Sequence, residues 1–250
     1  MHDQRNDRRT GEPSPGTARP STGDPTSRPE DLEHALLDPE GGDGAQLRGS
    51  VPEDPEAVVL VLHGGTSTSR MPVSWWRLPV LRMVPFAAAV RSATEDRAAV
   101  LRLKYRVRGW NDHHADPVMD ACWALDRIRR VLPDTPVVLV GHSMGGRVAL
   151  TLANEPGVVA VAALAPWVEG SLRRPRQGTE VLLMHGADDR ITDPRRTAVL
   201  ARRWTEEGAD VRHVRVRDEK HAMLHQARYW HRAVAEFVRG ALFGPGDDAD

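Results

Sequence analysis

Cysteine and lysine are scarce in this 250-residue chain, and no apolar stretch is long and charge-free enough to cross a bilayer. The single Cys122 excludes an intrachain disulfide, and its helical setting beside Trp123 and Leu125 suits a small core residue better than a nucleophile. Lysine occurs only at Lys104 and Lys220, so arginine carries nearly all the positive charge. Acidic residues balance it to a net charge of −1 and a pI near 6.8, which excludes a global field drawing the chain to nucleic acid or an anionic membrane. The N-terminus lacks an apolar h-region, and Arg8-Arg9 is followed by Thr10-Gly11-Glu12-Pro13 where a twin-arginine signal needs hydrophobic residues. A cytoplasmic protein is expected. Large apolar residues are almost missing from Met1 to about Glu30, too few to offset the entropy of ordering. A disordered tail over 1–44 is expected, then one domain over 45–242 and an acidic tail over 243–250.

What is present is an alternation of short apolar runs with helical patterns. Ala57–Leu62, Ala98–Val107, Val137–Val140, Val158–Leu164 and Val181–Met184 read as strands, four of them apolar throughout as buried parallel strands are. Ala45–Val51 is a weak strand, and Val211–Arg217 alternates apolar and charged residues as an edge strand does. Helices are expected from Trp75-Trp76 to Val90 with breaks at Pro79 and Pro85, and from Asp116 (N-cap) with Pro117 at N1 through Val131. Others follow the third apolar strand to about Asn154, run from Asp193-Pro194 to Glu207, and run from about Met223 to Leu242 with Leu224, Ala227, Val234 and Phe237 on one face. This spacing predicts an α/β fold: a mostly parallel, doubly wound sheet with helices on both faces and the site at the carboxyl ends of the strands.

The chain is organised around Gly141-His142-Ser143-Met144-Gly145-Gly146, a G-x-S-x-G motif between a strand and a helix. A serine there sits on a sharp, strained turn, and glycines two residues before and after it avoid collision. Serine is a poor nucleophile without a base, and the base needs a carboxylate to orient it. Both partners are sought on later strand-end loops, in the order serine, acid, histidine. In His185-Gly186-Ala187-Asp188-Asp189, Asp189 stands three residues past the glycine and is chosen over Asp188. Asp193 is better explained as an N-cap, and Glu169 is a fallback. Of 11 histidines, His221 alone lies in a loop at the right strand end. His213 falls within a strand, and His225 and His231 fall within the last helix as expected here. The oxyanion of the tetrahedral intermediate needs two N–H donors, Met144 and Gly65 of His63-Gly64-Gly65-Thr66, or Thr66 with a one-residue shift.

Over about Ala57 to Leu242, His63-Gly64-Gly65, Gly141-His142-Ser143-Met144-Gly145-Gly146, His185-Gly186-Ala187-Asp188-Asp189 and Glu219-Lys220-His221, in this order, make the chain resemble the α/β-hydrolase superfamily. The resemblance is to its carboxylesterase, monoacylglycerol-lipase and serine-aminopeptidase-like branch. It implies Ser143 as nucleophile, Asp189 as orienting acid and His221 as base. It speaks against the dehalogenase and epoxide-hydrolase branches, which place Asp at the elbow. Members often insert a lid between the strand ending near Ala165 and the one starting near Glu180. Here Pro166 to Thr179 is short, so no large cap domain is expected.

The expected activity is hydrolysis of a small acyl substrate, an ester or thioester, with no metal or organic cofactor. Acyl transfer or amide cleavage by the same triad, or a binding protein that has lost turnover, are the alternatives. His113-His114 with Asp112 and Asp116 suit a loop leading to a helix better than a metal site. Met71, Trp75, Trp76, Met83 and Phe86 could line an acyl pocket, but core packing explains them at least as well. Arg173-Arg174-Pro175-Arg176 suits a solvated basic loop better than an anion site.

Overall fold

Six consecutive apolar residues, Ala57–Leu62, are all buried because both faces of their strand are covered. The computed structural model describes residues 29–37 and 44–244. In it the strands are β1 (Gln46–Ser50), β2 (Ala57–Leu62), β3 (Ala98–Lys104), β4 (Val137–His142), β5 (Val158–Leu164), β6 (Glu180–Gly186) and β7 (Asp210–Val216). They form one seven-stranded sheet in the order β1-β3-β2-β4-β5-β6-β7. Only β1 runs antiparallel, along β3. Every other neighbouring pair is parallel.

Successive β2 residues point to opposite faces and so join two different cores. Val58, Leu60 and Leu62 pack with α1 (Pro29–Leu37), α4 (Asp116–Val131), α5 (Met144–Thr151) and α6 (Pro194–Glu206). Ala57, Val59 and Val61 pack with α3 (Val84–Ala93) and α7 (Ala227–Phe243), while the short α2 (Leu78–Leu81) leads into α3. This is the expected doubly wound sheet. Pro166 to Thr179 contains no helix or strand, so no cap domain is inserted there and the fold is lidless.

Several local expectations need correction. Part of the expected tail is ordered: α1 buries Leu36 completely, and the buried Arg127 donates its Nε–H to the Leu36 carbonyl. The rest of 1–44 before Gly44, and residues 245–250 of the acidic tail, lie outside the described residues. Asp116 is the first residue of α4 and not its cap. Ala115, at φ 45°, takes the cap position, while the Asp116 carboxylate accepts from Asn111 Nδ2 at 2.7 Å. Asp193 does cap α6, accepting from the Arg195 N–H at 2.9 Å.

The last helix starts four residues later than expected. The buried Glu219 carboxylate accepts from the Gln226 N–H at 2.8 Å, and Gln226 Nε2 donates to the Arg217 carbonyl. These bonds hold Met223–Gln226 in a turn. His225 therefore precedes the helix, and Leu224 is 68% exposed rather than on the apolar face.

The aromatic stripe also divides. Met83 and Phe86 are core, with Phe86 edge-on to His231, whereas Met71 and Trp76 are 56% and 82% exposed. Trp75 packs at the β1 edge, donating to Gln46 Oε1 with the Arg48 guanidinium over its ring. His113 and His114 stack on each other in a single exposed 3-10 turn. Arg173 and Arg174 are solvated, and Asn154 holds the backbone between them and Arg176. Among the described residues, no helix is long and apolar enough to cross a membrane.

Candidate active site

The turn from β4 into α5 puts Ser143 at φ 58° and ψ −116°, a sparsely populated conformation for a residue with a side chain. Neighbouring backbone holds it there. The Ser143 N–H donates to the Leu164 carbonyl, and the Ser143 carbonyl accepts from Trp167 and Arg147. The flanking glycines are sterically required. A Cβ on Gly145 would press into the carbonyl oxygens of Leu62 and His63, and one on Gly141 would meet the backbone of Gly145 and Gly146. Close approach of α5 to β2 thus depends on glycine at 145, and its close approach to β4 on glycine at 141.

Ser143 Oγ lies 3.0 Å from His221 Nε2, and His221 Nδ1 lies 2.7 Å from Asp189 Oδ2. A carboxylate only accepts, so Nδ1 carries the proton and Nε2 is left to accept from the serine hydroxyl. Seventy-eight residues separate Ser143 from His221, and the parallel sheet brings them together. Asp189 Oδ1 accepts from the N–H groups of Ile191 and Thr192, at 2.7 and 3.1 Å. Oδ2 also accepts from His185 Nε2 at 3.1 Å, and the Thr192 hydroxyl lies 2.8 Å away. Burial alone would raise the Asp189 pKa, but the hydrogen bonds from His185, His221 and Ile191 override it. They hold the carboxyl well below the usual carboxylate range. Asp188 is exposed, and Glu169 pairs with Arg147 at 3.5 Å, so neither competes for His221.

Gly65 and Met144 lie against each other. A Cβ on Gly65 would collide with the Met144 thioether and the Arg108 carbonyl. Among the described residues, neither the Gly65 nor the Met144 N–H has a hydrogen-bond partner. The Thr66 N–H is committed to the Arg108 carbonyl at 2.9 Å, which removes Thr66 as the alternative donor. Met144 also begins α5, where free N–H groups and the positive end of the helix dipole favour negative charge.

Four residues not singled out from sequence complete the arrangement. His142, fully buried, donates from Nε2 to the His221 carbonyl at 3.0 Å, and its ring lies 4.8 Å from that of His221. Burial, reinforced by the nearby His221, lowers the His142 pKa to about 3, so the ring is neutral. His185 braces Asp189 and is itself held by the Thr197 hydroxyl at 2.8 Å. Thr192 touches Asp189, His185, His221 and the Ala165 carbonyl together. Glu219 organises the His221 loop, accepting from the N–H groups of Lys220 and Gln226 while its carbonyl accepts from Asp188. Of these four, His142 and His185 lay inside recognised motifs and Glu219 two residues before His221, so a polar side chain beside a site residue was the available signal.

Among the described residues, no group of three or more His, Cys, Asp or Glu converges as metal ligands do. The chemistry open to this arrangement is proton transfer from a hydroxyl to an imidazole beside two free N–H donors.

Comparison with known proteins bears on the fold. No curated protein matches the chain in sequence. Among solved structures, XC6422 from Xanthomonas campestris, a serine hydrolase without a lid, superposes with a TM-score of 0.57 at 20% identity, over 79% of this chain and 90% of that one. Est1E from Butyrivibrio proteoclasticus gives 0.59 at 16% identity, over 79% and 93%. MGS-M1, an alpha/beta hydrolase from a Medee basin deep-sea metagenome, gives 0.63 at 15% identity, over 80% and 93%. At these identities the likeness concerns the fold. The sequence pattern described as the alpha/beta hydrolase family matches residues 58–249, from the second strand through the last helix. On that match, across the same sheet and elbow, the chain belongs to the alpha/beta hydrolase family.

Proposed function

We propose that the protein is a serine hydrolase acting on a small ester or thioester through an acyl-enzyme intermediate. The observation that carries this reading is the continuous chain Ser143 Oγ, His221, Asp189, at 3.0 and 2.7 Å. Ser143 Oγ attacks the carbonyl carbon as its proton passes to His221 Nε2, giving a tetrahedral intermediate. The Gly65 and Met144 N–H groups stabilise the oxyanion that develops, and Asp189 stabilises the imidazolium. Collapse breaks the bond to the leaving alcohol or thiol, which takes the proton from His221. Water then attacks the acyl group with His221 again as base, releasing the acid and restoring Ser143.

Lidless architecture supports a substrate that reaches the serine directly from solvent. That XC6422, with the same lidless fold, is a serine hydrolase supports the reaction class.

The test is a series of p-nitrophenyl acyl esters of increasing chain length, with Ser143→Ala beside the wild type. Turnover should fall by about 10³-fold or more in the variant. Equal turnover by both proteins would overturn the proposal.

A further inference from the structure

Beside the Gly64-Gly65 turn lies a cavity of about 50 Å³, lined by Gly64, Gly65, Val73, Val80, Arg77 and Arg108 among others. It adjoins the reactive serine, because a Cβ on Gly64 would lie 3.3 Å from Ser143 Cβ. Its lining combines apolar residues with two arginines, and no residue lining it is acidic.

The arginines here differ from others nearby. Arg106 is paired with Asp120, and Arg70 lies 3.7 Å from Asp116. Among the described residues, neither Arg77 nor Arg108 has a carboxylate partner. Arg108 is nevertheless held in place. Its Nε–H donates to the Pro72 carbonyl at 3.0 Å, and its backbone carbonyl accepts from Thr66, the residue after Gly65. That anchoring leaves the two terminal nitrogens of its guanidinium without a hydrogen-bond partner among the described residues. Arg77 precedes α2 and holds that helix through its backbone carbonyl, and its exposed side chain has no hydrogen-bond partner among the described residues. Arg77 is exposed and Arg108 half-buried, and both line the same small space, so an anion held there can be met by two guanidinium groups.

We propose that this cavity is an anion subsite, and that the preferred substrate carries a carboxylate or phosphate a few atoms from its scissile carbonyl. The inference rests on the serine-hydrolase reading for its catalytic part, but the subsite itself does not require turnover. The cavity's small volume limits the linker to a short aliphatic one, for which Val73 and Val80 supply the apolar wall. Arg108, anchored through Nε, presents its terminal nitrogens as a fork, and Arg77 closes the other side.

Two measurements separate the subsite from the reaction. First, binding of glutarate and of inorganic phosphate to full-length Ser143→Ala is measured by titration calorimetry, and again with Arg77→Gln and Arg108→Gln added. At least one of the two anions should bind, about tenfold or more weakly after the arginine substitutions. Binding by glutarate alone selects a carboxylate substrate, and binding by phosphate alone a phosphorylated one. Second, kcat/KM is compared for a p-nitrophenyl glutarate half-ester and its neutral methyl diester. The wild type should prefer the charged ester about tenfold or more, with the ratio approaching one in the double variant. If the double variant fails to fold, Arg77→Gln alone, at an exposed side chain with no partner among the described residues, should lower the same ratio. Neither anion binding, or affinity unchanged by the substitutions, would overturn the subsite. Loss of all ester turnover while anion binding persists would instead count against the serine-hydrolase reading.

Discussion

His142 donates its Nε2 proton to the backbone carbonyl of His221 across 3.0 Å. The residue before the elbow serine thus holds the loop carrying the imidazole that the serine meets. Its other ring nitrogen is buried without a partner among the described residues, where the ring's one hydrogen bond is directed at the His221 loop. His142→Leu should therefore lower kcat about 10-fold to 100-fold with KM changed little, because a loosened His221 spends less time in line with Ser143. His142→Gln, which can still donate, should recover part of the loss. Steady-state kinetics on one ester checks this, and equal kcat for wild type and His142→Leu would contradict it.

Asp189 and Asp188 are adjacent in sequence but not in role. Asp189→Asn replaces an acceptor with an amide that cannot fix the His221 tautomer, and kcat should fall on the order of 10³-fold or more. Asp188 is exposed, so Asp188→Asn should change kcat less than about threefold. Measured side by side, equal losses would reverse the assignment.

Burial pushes two histidines down: His63 to about 4 and His142 to about 3. Both are neutral in the fold and become protonated near pH 6.5 when unfolded, so the unfolded chain binds more protons as pH falls. Stability should thus be full above about pH 6.5 and be lost on acidification, by about 1.4 kcal/mol per pH unit for each histidine, down to pH 4 for His63 and further for His142. The depressed Asp189 acts in the same direction but lower, contributing stability above its unfolded pKa near 4 that is lost as pH drops below it. Urea unfolding at pH 7.5, 6.0 and 5.0 checks the slope. Constant stability across that range would contradict it.

Glycine matters at the elbow and not in the last helix. Gly145→Ala would drive a methyl into the Leu62 and His63 carbonyls, and should destabilise the fold by roughly 3 kcal/mol or abolish activity. Gly240, inside α7, has nothing within 4 Å of an added Cβ, so Gly240→Ala should leave stability equal or raise it by up to about 1 kcal/mol. Thermal unfolding of the two variants gives the comparison.

The sheet was legible in the sequence because its central strands are unbroken apolar runs, and only strands covered on both faces need to be. The elbow was legible because strand, glycine and helix each impose a separate requirement on a few adjacent residues. Asp189 and His221 followed from topology, since parallel strands deliver their end loops to one edge. Other features depend on partners distant in sequence. His142 finds a carbonyl 79 residues away, and Arg127 reaches Leu36 across 91. The start of α7 is set by Glu219 and Arg217, which no helical periodicity encodes. Phe86 and Trp76 look alike in sequence, but one is buried under α7 and the other stands in solvent.

Intact-mass analysis after treatment with a fluorophosphonate tests the central claim most directly. The reagent should add once, the modified peptide should contain Ser143, and neither Ser143→Ala nor His221→Ala should label at a comparable rate. Undiminished labelling of Ser143→Ala, or no labelling of the folded wild type, would contradict the account.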